Sequence, residues 1–341
     1  MPSFVNDVNG NVPQYYLEIT LSSNGGLDYQ QQINMNSNTY STYLASNISN
    51  LNFQDGGGNI LTSWLERGET NTSTSSIYYI KMPNTTLVSF YAVFYNTNAI
   101  SKDNAVTGCE PKYTATYAQY DNGANIFNFY DNFAGTALST NYSSLNSGGS
   151  YSVNNGLTIS VSNVTPSWIH IFTNTKYNPS IIETYVYSFS NSSVGEYSIA
   201  YTTITSASGG TDDWQTAYIF DTYSNTNRLI KYIGGSGSVI ISNSYTLPIN
   251  FMLTGIWNAT GNEIEQINYS TQLTSTDNTI TYATANLDLF VGNGGTADAV
   301  SFSIQYLRTR TYITSVPTTT YGTITSVSGA VNIQSNPNYV Y

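Results

Sequence analysis

Three runs decide the fold class: Asn52-Phe-Gln-Asp-Gly-Gly-Gly-Asn-Ile-Leu-Thr-Ser-Trp64-Leu-Glu66, Ile77-Tyr-Tyr-Ile-Lys-Met-Pro83 and Val88-Ser-Phe-Tyr-Ala-Val-Phe-Tyr95-Asn96. Each is a short apolar or aromatic segment closed by Gly, Asp or Pro, and none keeps the period of a helix. The stretch therefore predicts a β-meander with tight turns, with Trp64 in the core.

Working outward, Tyr15-Tyr-Leu-Glu-Ile-Thr-Leu21 alternates apolar and polar residues, the period of a half-buried strand. Asn24-Gly25-Gly26 marks a turn before the strand expected at 29–35, which predicts a first hairpin. These runs give at least five strands, enough for one sandwich over residues 1–120. A break is expected between 112 and 126, around Pro111 and Asn122-Gly123. From 126 onward, strands are expected at 157–161, 169–172, 182–187, 197–201, 217–220, 229–233 and 300–310, with a turn-rich stretch at Asn146-Ser-Gly-Gly-Ser150. Turn signals at this spacing predict a second sandwich over 121–316. The fold class is thus all-β, two tandem antiparallel β-sandwiches of jelly-roll type. The tail 317–341 alternates from Thr318 to Ile333. It is either one more strand of this subunit or a segment that pairs with a neighbouring subunit.

The Phe53-x-Asp55 turn, the Trp64-Leu-Glu66 strand, the aromatic strand ending at Met82-Pro83 and the Tyr95-Asn96 close resemble the DUF2341 domain family of archaeal and bacterial surface proteins and viral proteins. The sequence departs from that pattern at Tyr78-Tyr79, where the family often has Trp-Val, and lacks the Gly expected before Asn96. Phe129-Tyr-Asp-Asn-Phe133-x-Gly135-Thr136 and the closing Gln305-Tyr306-Leu-Arg308-Thr-Arg310 resemble a concanavalin A-like (laminin G-like) jelly roll, the domain that commonly follows DUF2341. Together the two resemblances cover most of residues 14–312.

Composition excludes several classes. Nine Lys and Arg stand against twenty Asp and Glu, a net charge of -11 that repels phosphate backbones, so nucleic acid is not an expected partner. No run reaches the roughly 18 to 20 apolar residues of a membrane span. Only 9% of residues are charged; polarity comes from Asn, Ser, Thr and 31 Tyr, groups that do not titrate near pH 4 and so suit an acidic exterior. Several Asn-Gly pairs run against a hot habitat. With Cys109 as the only cysteine no intrachain disulfide can form, and a small buried residue is the expectation for it. The first twenty residues show no basic segment followed by an apolar one, so either a leader has been removed or the protein leaves its cell by lysis.

Catalytic patterns are sparse. Glu263-Ile-Glu265 places two acids on one strand face, but a glycosidase needs carboxylates roughly 5 to 9.5 Å apart across a sugar, and the Glu-x-Asp-x-x-Glu pattern of jelly-roll glucanases is incomplete. Both are expected as solvated strand residues. His170, between Ile169 and Ile171, is expected as a satisfied structural histidine, and there is no Gly-x-Ser-x-Gly elbow. One His and one Cys cannot build a metal site, and the loop acids Asp212, Asp213 and Asp298 read better as turn or capping residues than as calcium ligands. The runs at Gly56–Gly58, Gly234–Gly237 and Gly292–Gly295 precede no helix and carry no Lys, so they read as hairpin turns. Trp64, Trp168, Trp214 and Trp257 divide between core positions and a sugar-stacking platform. Asn-x-Ser/Thr sequons at Asn47, Asn71, Asn84, Asn141, Asn163, Asn191, Asn258 and Asn268 are glycosylation candidates.

These readings lead to the expectation of a non-enzymatic structural surface protein without catalytic, metal or cofactor residues. Such a protein is expected on a virion or outside the cell, as a turret, spike or fibre component of an archaeal virus. Its expected partners are other copies of itself, other coat or surface proteins and host surface glycans. The alternative is an extracellular carbohydrate-binding adhesin or cell-surface filament protein.

Overall fold

The structure is a computed structural model that describes residues 2–327 apart from 165, 179, 191–194, 205–213, 224, 259–261, 282–283 and 294–298. Asp212, Asp213, Asp298, Asn191 and the tail beyond 327 lie outside the described residues. The chain divides into two compact units. Residues 1–127 and 313–341 form one, and 128–312 form the other.

The first unit contains β1 (Tyr15–Leu21), β2 (Gln30–Met35), β3 (Leu51–Gln54), β4 (Ser63–Arg67), β5 (Ser76–Lys81), β6 (Ser89–Phe94) and β7 (Thr107–Cys109), then a one-turn helix, α1 (Gly123–Ile126). The second contains β8 (Phe129–Asp131), β9 (Tyr142–Ser147), β10 (Gly149–Val153), β11 (Leu157–Val161), β12 (Trp168–Thr173), β13 (Ile181–Ser190), β14 (Glu196–Ile204), β15 (Trp214–Tyr223), β16 (Thr226–Ile233), β17 (Ser236–Ser244), β18 (Phe251–Trp257), β19 (Glu263–Ile267), β20 (Ser270–Ser275), β21 (Asn286–Gly292) and β22 (Val300–Arg310). The chain then returns to the first unit as β23 (Thr319–Ser326).

The first unit is a sandwich of two four-stranded sheets, β23-β1-β6-β3 and β2-β5-β4-β7, the last strand joining in parallel. Alternate residues of both sheets, among them Leu17, Ile19, Ile33, Phe53, Leu65, Ile80, Phe90 and Phe94, meet in one core. Cys109 is buried there, and burial raises its thiol to about 11, the behaviour of an inert packing residue. The expected first hairpin and meander do not form. β1 and β2 lie in opposite sheets, and within 52–96 β3 pairs with β6 while β4 pairs with β5.

Two expected boundaries also move. Trp64 and Tyr79 face away from the sandwich core, and Phe127 covers them edge-on at ring separations of 5.2 and 5.3 Å. Trp64 Nε1 donates to Asp121 at 2.8 Å. Gly108 has no Cβ, which lets Asn122 lie against β7, and the Asn122 amide donates to the Ser63 carbonyl at 3.2 Å. Residues 112–126 are thus the lid of the first sandwich rather than a linker, and the unit ends at Phe127 instead of 120. The tail is the larger correction. β23 pairs antiparallel with β1 of its own chain, and the Tyr321 hydroxyl donates to the Asn34 carbonyl at 2.7 Å. The two sandwiches are therefore not consecutive, because the second is inserted into the first.

The second unit is a jelly-roll-like sandwich. One sheet runs β10-β11-β22-β13-β18-β19-β20, with β8 added on β22, and faces a seven-stranded sheet, β17-β16-β15-β14-β21-β12-β9. Between them lie Ile159, Ile171, Ile199, Phe220, Leu253, Leu289 and Phe302 with their neighbours. On the first of these sheets Glu183 is fully buried and takes Arg308 Nε at 2.7 Å and Arg310 Nη2 at 3.0 Å. Burial alone pushes its carboxyl up, but the two guanidiniums overrule burial and hold it at about 2. The Arg-x-Arg of the closing strand thus anchors adjacent strands β13 and β22.

Candidate functional site

Side chains on the outer face of the seven-stranded sheet fall into rows fixed by strand register. Trp168, Gly292, Glu196 and Tyr223 stand abreast on β12, β21, β14 and β15. The next outward row is His170, Phe290, Ser198, Asp221 and Arg228, and the one after it brings Ile230 beside Val239 of β17. Because successive residues of a strand alternate faces, residues far apart in sequence gather on one surface.

Gly292 sits between Trp168 and Glu196, and with no side chain it leaves a hole in the first row. A Cβ there would come within 2.8 Å of the Phe290 ring. Gly237 acts similarly on β17, where a Cβ would strike the Tyr232 ring at 2.5 Å. The result is a cleft of about 510 Å³, walled by Trp168, Phe290, Tyr223, Tyr232, Ile230 and Val239 and carrying Glu196, Arg228, Ser167, Ser238 and Asn293.

Arg228 organises the polar side. Its Nε donates to Asp221 Oδ2 at 2.5 Å and its Nη2 to Glu196 Oε1 at 2.7 Å, while the guanidinium carbon lies 4.3 Å from the centre of the Tyr223 ring. Burial pushes the Asp221 carboxyl up to about 6 against the pull of Arg228. Two acids and an aromatic ring thus hold one cation rigidly beside an apolar wall.

Behind that wall, His170 Nδ1 and Trp214 Nε1 meet the same carboxylate oxygen of Asp288, at 2.8 and 2.7 Å. His170 is fully buried among Trp168, Trp214 and Phe290, with ring separations of 4.7 to 5.5 Å. Its Nδ1 is satisfied as expected, whereas its Nε2 has no hydrogen-bond partner among the described residues. This cluster fixes the rear of Trp168 and Phe290.

The acids singled out by spacing are elsewhere. Glu263 and Glu265 face the sandwich interior from β19 and are fully buried, which corrects their expected solvation and removes them from the cleft. Of the four tryptophans only Trp168 borders it. Trp64 lies in the first unit, Trp214 behind the wall, and Trp257 in the inter-sheet core beside Tyr201 and Tyr218. Glu196, Asp221, Arg228, Tyr223 and Tyr232 escaped the sequence reading because register alone assembles them. Gly234 and Gly235 do form a turn with positive φ, but Gly237 lies within β17 and Gly292 within β21. Among the sequons, Asn47, Asn84, Asn141, Asn163 and Asn268 are exposed and Asn71 is half-buried. Asn258 is buried, with Oδ1 accepting from the Asn262 N–H at 3.1 Å. No cluster of three or more potential metal ligands occurs among the described residues, and none of their helices is long and apolar enough to cross a membrane.

No family model matches the chain, and no curated protein does. Solved structures similar to it include a Bacillus licheniformis β-glucanase (12% identity, 54% of this chain and 98% of that one, TM-score 0.42). Others are the catalytic domain of a Thermotoga petrophila endo-1,3-β-glucanase, or laminarinase (10%, 53% and 96%, TM-score 0.41), and the carbohydrate-binding module CBM66 of Bacillus subtilis (12%, 50% and 94%, TM-score 0.38). These correct the expectation of a virion component without enzymatic activity, because the similar proteins are glycan-cleaving and glycan-binding domains. At such identities and scores the likeness concerns the fold alone.

Proposed function

We propose that the second unit binds a carbohydrate in the cleft on its seven-stranded sheet, as part of an extracellular carbohydrate-binding protein. The observation that carries this reading is the joining of aromatic walls, Trp168, Tyr223 and Tyr232, to a Glu196–Arg228 pair, held from behind by buried Asp221, in a cleft of about 510 Å³. Sugars present apolar C–H faces and a rim of hydroxyls, so they pair with aromatic rings and with charged groups that donate and accept. Pockets of roughly 300–1,000 Å³ with a few convergent polar groups suit small ligands. The amide- and hydroxyl-rich composition supports an extracellular setting.

Glycan-array screening followed by calorimetry tests the proposal. At least one neutral oligosaccharide should bind, with Trp168→Ala and Arg228→Gln each weakening it tenfold or more while far-UV circular dichroism stays unchanged. Binding that neither substitution alters would refute the assignment.

A further inference from the structure

We propose that the cleft selects a sugar carrying an N-acetyl group, whose methyl packs on Ile230 and Val239; this rests on the carbohydrate reading above and names the class of sugar. The lining is divided along β16. Arg228 stands in one outward row, opposite Asp221, and Ile230 stands in the next, opposite Val239 of β17. Successive outward residues of a strand are about 7 Å apart, so the charged pair and the aliphatic pair lie within reach of one sugar ring and one substituent. Hydroxyls and ring faces account for the first half of this lining, since Glu196 and Arg228 accept and donate while Trp168 and Tyr223 offer flat faces. They do not account for the second half.

Ile230 and Val239 form no hydrogen bonds and have no flat face to stack on a ring, and Val239 is 52% exposed, an apolar group that the fold leaves in water. An unsubstituted sugar would set hydroxyls against these side chains and lose their hydrogen bonds with water. A methyl group reverses the sign, because apolar surface is then removed from water on both partners. What the methyl is attached to follows from the next row. Tyr232 lies opposite Gly237, and its phenol oxygen is seated over that glycine, where an added Cβ would come within 2.8 Å of it. A hydroxyl thus stands one row beyond the aliphatic pair, as Arg228 stands one row before it. A methyl joined to a carbonyl that accepts a hydrogen bond matches this order, and an acetamido group has both. The methyl of a 6-deoxy sugar sits directly on the ring and brings no carbonyl.

Calorimetric titration with matched sugars tests the proposal. Fully N-acetylated chitotriose and cellotriose share one backbone and differ at C2, acetamido against hydroxyl, and N-acetylgalactosamine and galactose form a second such pair. In at least one pair the acetylated member should bind tenfold or more tightly than its counterpart. Burial of the methyl supplies about fourfold of this, and a hydrogen bond to the acetamido group supplies the rest. Val239→Ser should shrink the advantage to about threefold or less with unchanged far-UV circular dichroism, since the side chain is exposed at the sheet edge. Equal affinities within both pairs, tighter binding of L-fucose than of either acetylated sugar, or an advantage that survives Val239→Ser would overturn the proposal and leave sugar binding intact. Failure of both pairs to bind, by a protein that binds another glycan on the array, would overturn it likewise. Failure to bind any glycan would remove the carbohydrate reading and this proposal together.

Discussion

Replacing Glu263 and Glu265 by Gln should make the protein's stability less dependent on pH between 4.5 and 8. Both side chains project from β19 into the sandwich with no accessible surface, and none of their four oxygens meets a donor in hydrogen-bond geometry among the described residues. Burial pushes Glu263 up to about 7; Asp277 adds to the rise, while the nearby Ser275 hydroxyl opposes it. Glu265 is raised well above its ordinary value, first by burial and then by Asp221, against a smaller pull from Arg228. Because the folded protein holds these protons more tightly than the unfolded chain, their unfavourable ionisation is absent below about pH 4.5 and grows as pH rises toward 7 and beyond.

For Glu263 the rise from 4.5 to about 7 sets an upper limit of about 3 kcal/mol at 1.36 kcal/mol per pH unit, which screening lowers to about 1–3. In a unit of this size that corresponds to a fall in Tm of about 2–10 °C between pH 4.5 and 8. Asp221, raised to about 6, acts in the same direction. Glu183, held at about 2, contributes stability that is full above about pH 5 and is lost as pH falls from about 4.5 toward 2, so it changes little within this window. Calorimetric melts across this range should show the wild type losing Tm with rising pH, and Glu263→Gln losing distinctly less. A wild type more stable at pH 8 than at 4.5, with an unchanged slope in the variant, would refute the reasoning.

Glu183→Gln should cost about 3–5 kcal/mol at neutral pH, because it leaves Arg308 and Arg310 buried without their counter-charge, and urea unfolding would report it. Gly292→Ala should weaken any ligand of the cleft more than tenfold in calorimetry while lowering Tm by only a few degrees, since the new methyl group enters the hole beside Phe290. Deleting residues 317–341 should destabilise the first unit, not merely its assembly, because it removes a full ladder partner of β1; a truncated protein with an unchanged melt would refute the observed pairing.

Strands with clear alternation were legible in the sequence to the residue, as with Tyr15–Leu21, Leu157–Val161 and Val300–Arg310. Strands built from Ser, Thr, Asn and Gly were not. Tyr142–Ser147 and Gly149–Val153 form where Asn146–Ser150 reads as a turn, and Ser236–Ser244 and Ser270–Ser275 lack the apolar face that signals a half-buried strand. Backbone pairing holds such segments, and pairing is a property of two segments rather than one. The same holds for the site. The acid pair with a visible motif spacing, Glu263 and Glu265, is interior, while Glu196 and Asp221 become neighbours only through the β14–β15 register and the reach of Arg228.

The return of the chain as β23 has a mechanical consequence. Tyr15 pairs with Ser326, and the Val327 N–H donates to the Gln14 carbonyl at 2.9 Å, so the entry to β1 and the exit from β23 lie at the same end of one ladder. Tension applied at Gln14 and Val327 would peel β1 from β23 one hydrogen-bonded pair at a time, as in unzipping. While that ladder holds, its hydrogen bonds and not the inserted residues 128–312 carry the load.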